Sequence, residues 1–217
     1  PERLMLLQLF PDHLDVLIIL IPVLMFALCF HEFSHAYIAY MLGDDTAQRQ
    51  GRLTLNPLAH LDPIGSLMIL IVGFGWAKPV PVNPLNLRDR HTGMMKVAFA
   101  GPASNLLLAF IGGCIVRVVN GFHIPVNETF SHVIYFFLYI NIALAIFNLI
   151  PVAPLDGSQI FGSIIGRKNP ELAWKLQANG PKILLGLILF GMITGYSIIG
   201  AIITPFIKFF LYVFAGI

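Results

Sequence analysis

The stretch Cys29-Phe30-His31-Glu32-Phe33-Ser34-His35 sets two imidazoles and a carboxylate inside a long apolar run. On a helix, residues four apart share one face, so His31 and His35 can reach a single Zn²⁺. Glu32 then stays off the metal, beside the water it would deprotonate. This H-E-x-x-H spacing is that of zinc hydrolases. The plain alternative is a pair of helix histidines bonded to neighbouring carbonyls.

The surroundings weaken that alternative. From Leu14 to Leu42 the only charged side chains are Asp15 and Glu32, over a length that makes about 43 Å of helix and exceeds the ~30 Å hydrocarbon core. Across the chain 57% of residues are hydrophobic and 11% charged, where ordinary soluble domains carry about 25% charged residues. The composition implies an all-α polytopic membrane protein, embedded in the lipid bilayer and forming a single domain over residues 1–217. Inside a membrane helix an ionisable group is costly, so His31, Glu32 and His35 together read as a functional site. A net charge of +2 with basic residues confined to loops gives no sign of a nucleic-acid partner. Cys29 and Cys114 lie in apolar segments without metal spacing, which predicts buried free thiols.

Outward from the motif, residues 1–13 mix apolar and charged side chains and suit an interfacial segment, with no basic flank and cleavage site to mark a signal peptide. Residues 14–42 form the first spanning helix. The apolar run from Ser66 to Trp76 is too short to cross and leads into Ala77-Lys78-Pro79-Val80-Pro81-Val82, whose prolines favour an extended edge strand. Residues 63–82 are therefore expected to be a membrane-dipping hairpin turning at Gly73-Phe74-Gly75, with a β element on its return. Val97–Val116 and Val133–Pro151 are expected to span, separated by a loop from Arg117 to Glu128. A basic polar loop is expected from Arg167 to Lys182, and residues 183–217 form one or two further helices, giving about four to five spans.

Two histidines leave a catalytic zinc one protein ligand short. Asp156 is the leading candidate, because it is isolated in the otherwise uncharged stretch Val133–Ile165. Asp62 is the second, and a helix N-cap is the competing reading of Asp156. Topology bears on the choice: if residues 63–76 only dip, Asp156 emerges on the side of Gly43, beside the histidines. Under that arrangement ten basic residues from Arg49 to Lys182 share one face against Arg3 and Arg117 on the other, which makes the shared face cytoplasmic.

His31-Glu32-Phe33-Ser34-His35, Gly101-Pro102-Ala103-Ser104-Asn105, and Asn148 followed by Asp156-Gly157 stand in the order found in site-2 proteases, and the chain resembles that family. The resemblance implies one Zn²⁺ per chain held by His31, His35 and Asp156, with Glu32 as general base and Asn148 holding substrate or oxyanion. Gly73, Phe74, Gly75 and the strand after them look like the family's membrane-dipping β element, and with Val80 and Asn105 they complete the expected substrate-binding set. With no room for PDZ or nucleotide-binding domains, the chain is similar to the smallest members. The expected partner is a transmembrane protein or peptide substrate, in the cell membrane of a prokaryote, and the oligomeric state is left open. A metal-ion or proton transporter is the rival reading of ionisable groups in a membrane. The remaining histidines, His13, His60, His91, His123 and His132, are expected at the surface.

Overall fold

A computed structural model of the chain describes residues 14–72, 75–89 and 92–217. The apolar stretches become helices α1 (Leu14–Met41), α2 (Thr46–Arg49), α3 (Pro57–His60), α4 (Pro63–Val72), α5 (Gly93–Gly121), α6 (Glu128–Asn148), α7 (Asp156–Ile165), α8 (Pro170–Thr194) and α9 (Ile198–Ala215). Among the described residues α1, α5, α6, α8 and α9 are long and apolar enough to cross a membrane. The fold is that of a multi-pass membrane protein.

Helix α5 is the axis of the bundle, packing against α1, α6, α7 and α9. Lipid tails give no hydrophobic drive between helices, so close approach and interhelical hydrogen bonds hold such bundles together. Small residues provide that approach: Ala27, Ala36, Ala39 and Ala109 are fully buried, and Gly112 and Gly113 are buried beside them. Larger side chains fill three seams. Val23, Ala27 and Ile140 join α1 to α6. Ala109, Leu138, Ile142, Ile203, Ile207 and Leu211 join α5, α6 and α9. Ala39, Leu87 and Val97 close the end of α1 against the loop that precedes α5.

Arg117 fixes the direction of the last helix. Its guanidinium donates to the carbonyls of Phe214 and Val213 at 2.8 Å and of Tyr212 at 3.3 Å. Tyr212 O also accepts from the C-cap Gly216 N at 2.9 Å, while the last-turn carbonyls of Val213 and Phe214 rely on Arg117, and a cation there offsets the helix dipole. Helix α9 therefore ends beside the end of α5 and runs the same way. Since α6 is antiparallel to α5, α6 ends and α9 begins at one end of the bundle. The intervening α7 and α8 leave and rejoin that end.

Several sequence expectations change. Residues 183–217 form two helices, and the first begins well before 183: the expected polar loop Arg167–Lys182 is helical from Pro170. Asn169 caps it by accepting from Leu172 N, and Lys175 pairs with Glu171 at 2.7 Å. The spans expected at 97–116 and 133–151 run from 93 to 121 and from 128 to 148, because their charged ends are helical too. Cys29 is buried with its thiol toward Leu55 O, whereas Cys114 is exposed on the bundle surface.

The hairpin takes a different form from the one expected. Its outward arm is the short helix α4, and Gly73 and Phe74 lie outside the described residues. Its two ends meet: Leu61 and Ala77 form an isolated antiparallel bridge, and Lys78 N donates to His60 O at 2.8 Å. A Cβ on Gly65 would stand 2.1 Å from Trp76 O, so only glycine admits this closure. No strand or sheet forms among the described residues, and the expected β element is absent. The reason lies in the donors. Pro79, Pro81 and Pro84 have none. Val80 N goes to the Glu32 carboxylate at 3.0 Å and Asn83 N to Asp44 at 2.7 Å, so the segment offers no continuous run of donors to a ladder.

Candidate metal centre

Helix α1 delivers His31 and His35 one turn apart, with ring centroids 4.6 Å apart and planes at 84°. Each ring is held from behind. His35 Nδ1 lies 2.7 Å from Val97 O, and His31 Nδ1 lies 2.6 Å from Asn105 Oδ1. Both partners accept, so each Nδ1 carries a proton and donates, and each Nε2 is turned to the front. There the two meet Asp156: Oδ2 is 3.1 Å from His31 Nε2 and 3.3 Å from His35 Nε2.

Asp156 arrives on a turn built from Pro151 to Leu155. It is the first residue of α7, and the N-cap position belongs to Leu155 with no side-chain cap bond. The N-cap reading of Asp156 therefore does not describe its carboxylate, which faces the imidazoles. Asp62, the other candidate, accepts from Gly65 N at 2.7 Å and caps α4.

The donor set fits a zinc ion. Ligand atoms of His31, His35 and Asp156 all lie within 4.8 Å of one another. Bonds of about 2.0–2.1 Å in a tetrahedron place neighbouring ligand atoms about 3.3 Å apart, close to the two separations onto Asp156. Two nitrogens and one oxygen also leave a fourth position open, the pattern of catalytic rather than structural zinc. Gly101 of α5 forms the floor: a Cβ there would stand 2.4 Å from His35 Nε2 and 2.5 Å from His31 Nε2. The histidines are 4% and 8% exposed, while the Asp156 side chain is 20% exposed, so the centre opens on its Asp156 edge.

Comparison with known proteins points the same way. The profile described as "Peptidase family M50" matches residues 113–191, which include Asp156. The protein named "Putative zinc metalloprotease YwhC" from Bacillus subtilis is 41% identical over 176 residues, 79% of this chain and 79% of its own. The chain belongs to peptidase family M50.

Other relatives of this M50 protein are longer. Rip2 of Mycolicibacterium smegmatis, which bears the same form of name, is 31% identical over 74% of this chain and 61% of its own. "Zinc metalloprotease MJ0392" of Methanocaldococcus jannaschii is 30% identical over 60% of this chain and 38% of its own. No solved structure matches the chain. With its family and its apolar helices, the protein is a membrane metalloprotease, and the transporter reading is not favoured.

The other expected site residues are distributed unevenly. Asn105, expected to bind substrate, is completely buried behind His31, with Oδ1 2.6 Å from His31 Nδ1. Asn148 is half-buried and donates one amide hydrogen to Leu144 O of its own helix at 3.0 Å, leaving the other available. Glu32 stands off the histidine face and accepts from Val80 N, so Val80 lies over the proposed base. Gly75 lies on the return from the hairpin.

Sequence reasoning missed the clamps that hold this segment. Arg52 donates from Nη2 to Lys78 O at 2.7 Å. Asp44, fully buried just past α1, accepts from Asn83 N, Asn86 Nδ2 and Thr46. Asp44 follows Gly43, whose φ of +105° makes the turn that aims it. Burial opposes ionisation of Asp44, but these hydrogen bonds outweigh it and keep its carboxyl below the usual range. His60 was expected at the surface and is 2% exposed, with Nε2 on Thr54 O at 2.8 Å.

Proposed function

We infer that this M50 protein is an intramembrane zinc peptidase, hydrolysing peptide bonds in or near the transmembrane segments of membrane proteins. The observation that carries this reading is the convergence of His31 and His35 Nε2 on Asp156 Oδ2 within a bundle of apolar helices. His31, His35 and Asp156 would hold one Zn²⁺, which when bound supplies Lewis acidity and an activated water.

The chain's own groups account for the rest. The Glu32 carboxylate takes a proton from the attacking water and returns it to the leaving amine nitrogen. The Val80 N–H fixes one Glu32 oxygen, which leaves the other for the reaction. Asn148 has an amide hydrogen left to offer the carbonyl oxygen as it gains charge. The segment 75–83 leaves the bridge between Ala77 and Leu61 and passes over Glu32, to which Val80 N donates. A substrate helix has its carbonyls paired and shielded, so it must unwind before attack.

The basic residues support a cytoplasmic site. Arg49, Arg52, Lys78, Arg88 and Lys96 fall between α1 and the start of α5, and Arg167, Lys168, Lys175 and Lys182 fall in the α7–α8 excursion at the same end. By the positive-inside rule this end faces the cytoplasm of a prokaryotic cell membrane.

The test uses purified protein in lipid vesicles with a panel of single-span peptides. Cleavage should require zinc and disappear in Glu32→Gln, which keeps its zinc. Cleavage by Glu32→Gln at the wild-type rate would overturn the assignment.

A further inference from the structure

Behind His31 lies a line of buried amides that the reaction itself does not use. Asn105 and Asn141 are both completely buried, Asn105 on α5 and Asn141 on α6. Asn141 Nδ2 lies 2.8 Å from Phe137 O, and Asn141 Oδ1 lies 2.9 Å from Asn105 Nδ2. Asn105 Nδ2 also lies 3.2 Å from Ala27 O, and Asn105 Oδ1 lies 2.6 Å from His31 Nδ1.

The direction of this line is forced from its far end. Phe137 O is a backbone carbonyl and can only accept, so the NH₂ of Asn141 must face it. The oxygen of Asn141 then faces Asn105, and requires the NH₂ of Asn105 in return. Ala27 O makes the same demand. Only the oxygen of Asn105 is left for His31, so His31 must carry its proton on Nδ1 and present Nε2 to the metal. Were Asn105 to flip, an N–H would face Nδ1 and drive the proton to Nε2, the atom a cation needs. The flip would also set Asn105 oxygen against two other oxygens in a site closed to solvent, where mismatched polar groups are expensive.

We propose that Asn141 is a positioning residue of the metal centre: acting through Asn105, it locks the tautomer and orientation of His31 and so sets metal affinity. The proposal rests on the reading of His31 as a metal ligand. The ordinary role of a buried asparagine in a membrane helix is to bind helices together, and that role predicts lost stability without a specific effect on metal. A relay predicts the reverse emphasis.

The experiment measures zinc dissociation constants by chelator competition on the full chain, together with unfolding of the metal-free protein. Partners behind a metal-bound histidine are commonly worth 10–100-fold in affinity. Asn141→Leu, close in volume but without an acceptor, should weaken zinc binding by about tenfold. Asn141→Asp should retain wild-type affinity, because a carboxyl buried this deeply stays protonated and can both donate to Phe137 O and accept from Asn105. Asn105→Leu should cost at least as much as Asn141→Leu, and the double variant no more than Asn105→Leu alone, since Asn141 acts only through Asn105. Zinc binding by Asn141→Leu at wild-type affinity would overturn the relay, as would full additivity in the double variant. Equal losses in Asn141→Leu and Asn141→Asp that track their metal-free stability would overturn it too. His31→Ala separates the two levels. If it binds zinc as tightly as wild type, the metal reading itself fails. If it loses zinc while Asn141→Leu does not, only the relay fails.

Discussion

Replacing Gly101 with alanine probes the metal centre through one added methyl group. The Cβ would stand 2.4 Å from His35 Nε2, 2.5 Å from His31 Nε2 and 2.6 Å from His31 Cε1, where an ordinary contact needs 3.4 Å or more. Both rings would have to withdraw by about 1 Å, several times the ~0.2 Å tolerance of zinc–ligand bonds. They cannot withdraw freely, because Val97 O and Asn105 Oδ1 hold them from behind at 2.7 and 2.6 Å. Overpacking of this kind costs about 1–3 kcal/mol, and here it falls mainly on the state in which the rings converge. Zinc affinity should therefore drop by roughly one to two orders of magnitude. Helix α5 itself should not suffer, since alanine is about 1 kcal/mol better than glycine inside a helix. Chelator competition and circular dichroism read the two quantities separately. Wild-type zinc affinity in a folded Gly101→Ala protein would refute the geometry, because the imidazoles could not then be converging beneath Gly101.

Three further outcomes follow from particular contacts. Val80→Pro removes the N–H that Glu32 accepts and should cut peptide cleavage at least about tenfold at unchanged zinc content, whereas Val80→Ala keeps the donor and should be mild; equal rates in the two variants would show that this N–H is idle. Asp44→Asn should cost about 1–3 kcal/mol at neutral pH, because replacing one carboxylate oxygen by NH₂ leaves either Asn83 N or the Asn86 and Thr46 donors facing another donor. Since the folded Asp44 carboxyl titrates below its unfolded value, its contribution is full above about pH 4 and fades as pH falls through the folded value, so wild type and variant should converge in acid. Unfolding in detergent at pH 7 and pH 3 would show this, and a constant difference would contradict it. Arg117→Met should free the end of α9, with faster hydrogen exchange at residues 211–215 and a loss of roughly 1 kcal/mol; unchanged exchange would mean that the capping bonds contribute nothing.

Much of the centre was legible because its chemistry is local or isolated. His31, Glu32 and His35 depend only on helical spacing, and Asp156 stood out as a lone charge in an apolar stretch. The hairpin was readable from length alone, since ten residues of α4 cannot cross a bilayer. What escaped depends on partners far along the chain. Asn105 looked like a substrate group because sequence does not say which way a helix residue turns; its partners His31, Ala27 and Asn141 lie 74, 78 and 36 residues away. The β element is read from prolines that exclude helix in Ala77–Val82, but sequence does not show that Glu32, 48 residues before Val80, takes the central donor. The start of α8 was a different kind of miss. Asn169-Pro170-Glu171 carries a cap, a first-turn proline and an acidic residue, which together mark a helix N-terminus, but the basic residues around it were weighed as loop.

Zinc content tests the central claim most directly. Wild type and Asp62→Ala, purified side by side, should each carry one equivalent of zinc, and His31→Ala, His35→Ala and Asp156→Ala should each lose most of it while remaining folded. Stoichiometric, tightly held zinc in Asp156→Ala would contradict the account, because the residue on which both imidazoles converge would then not be the third ligand.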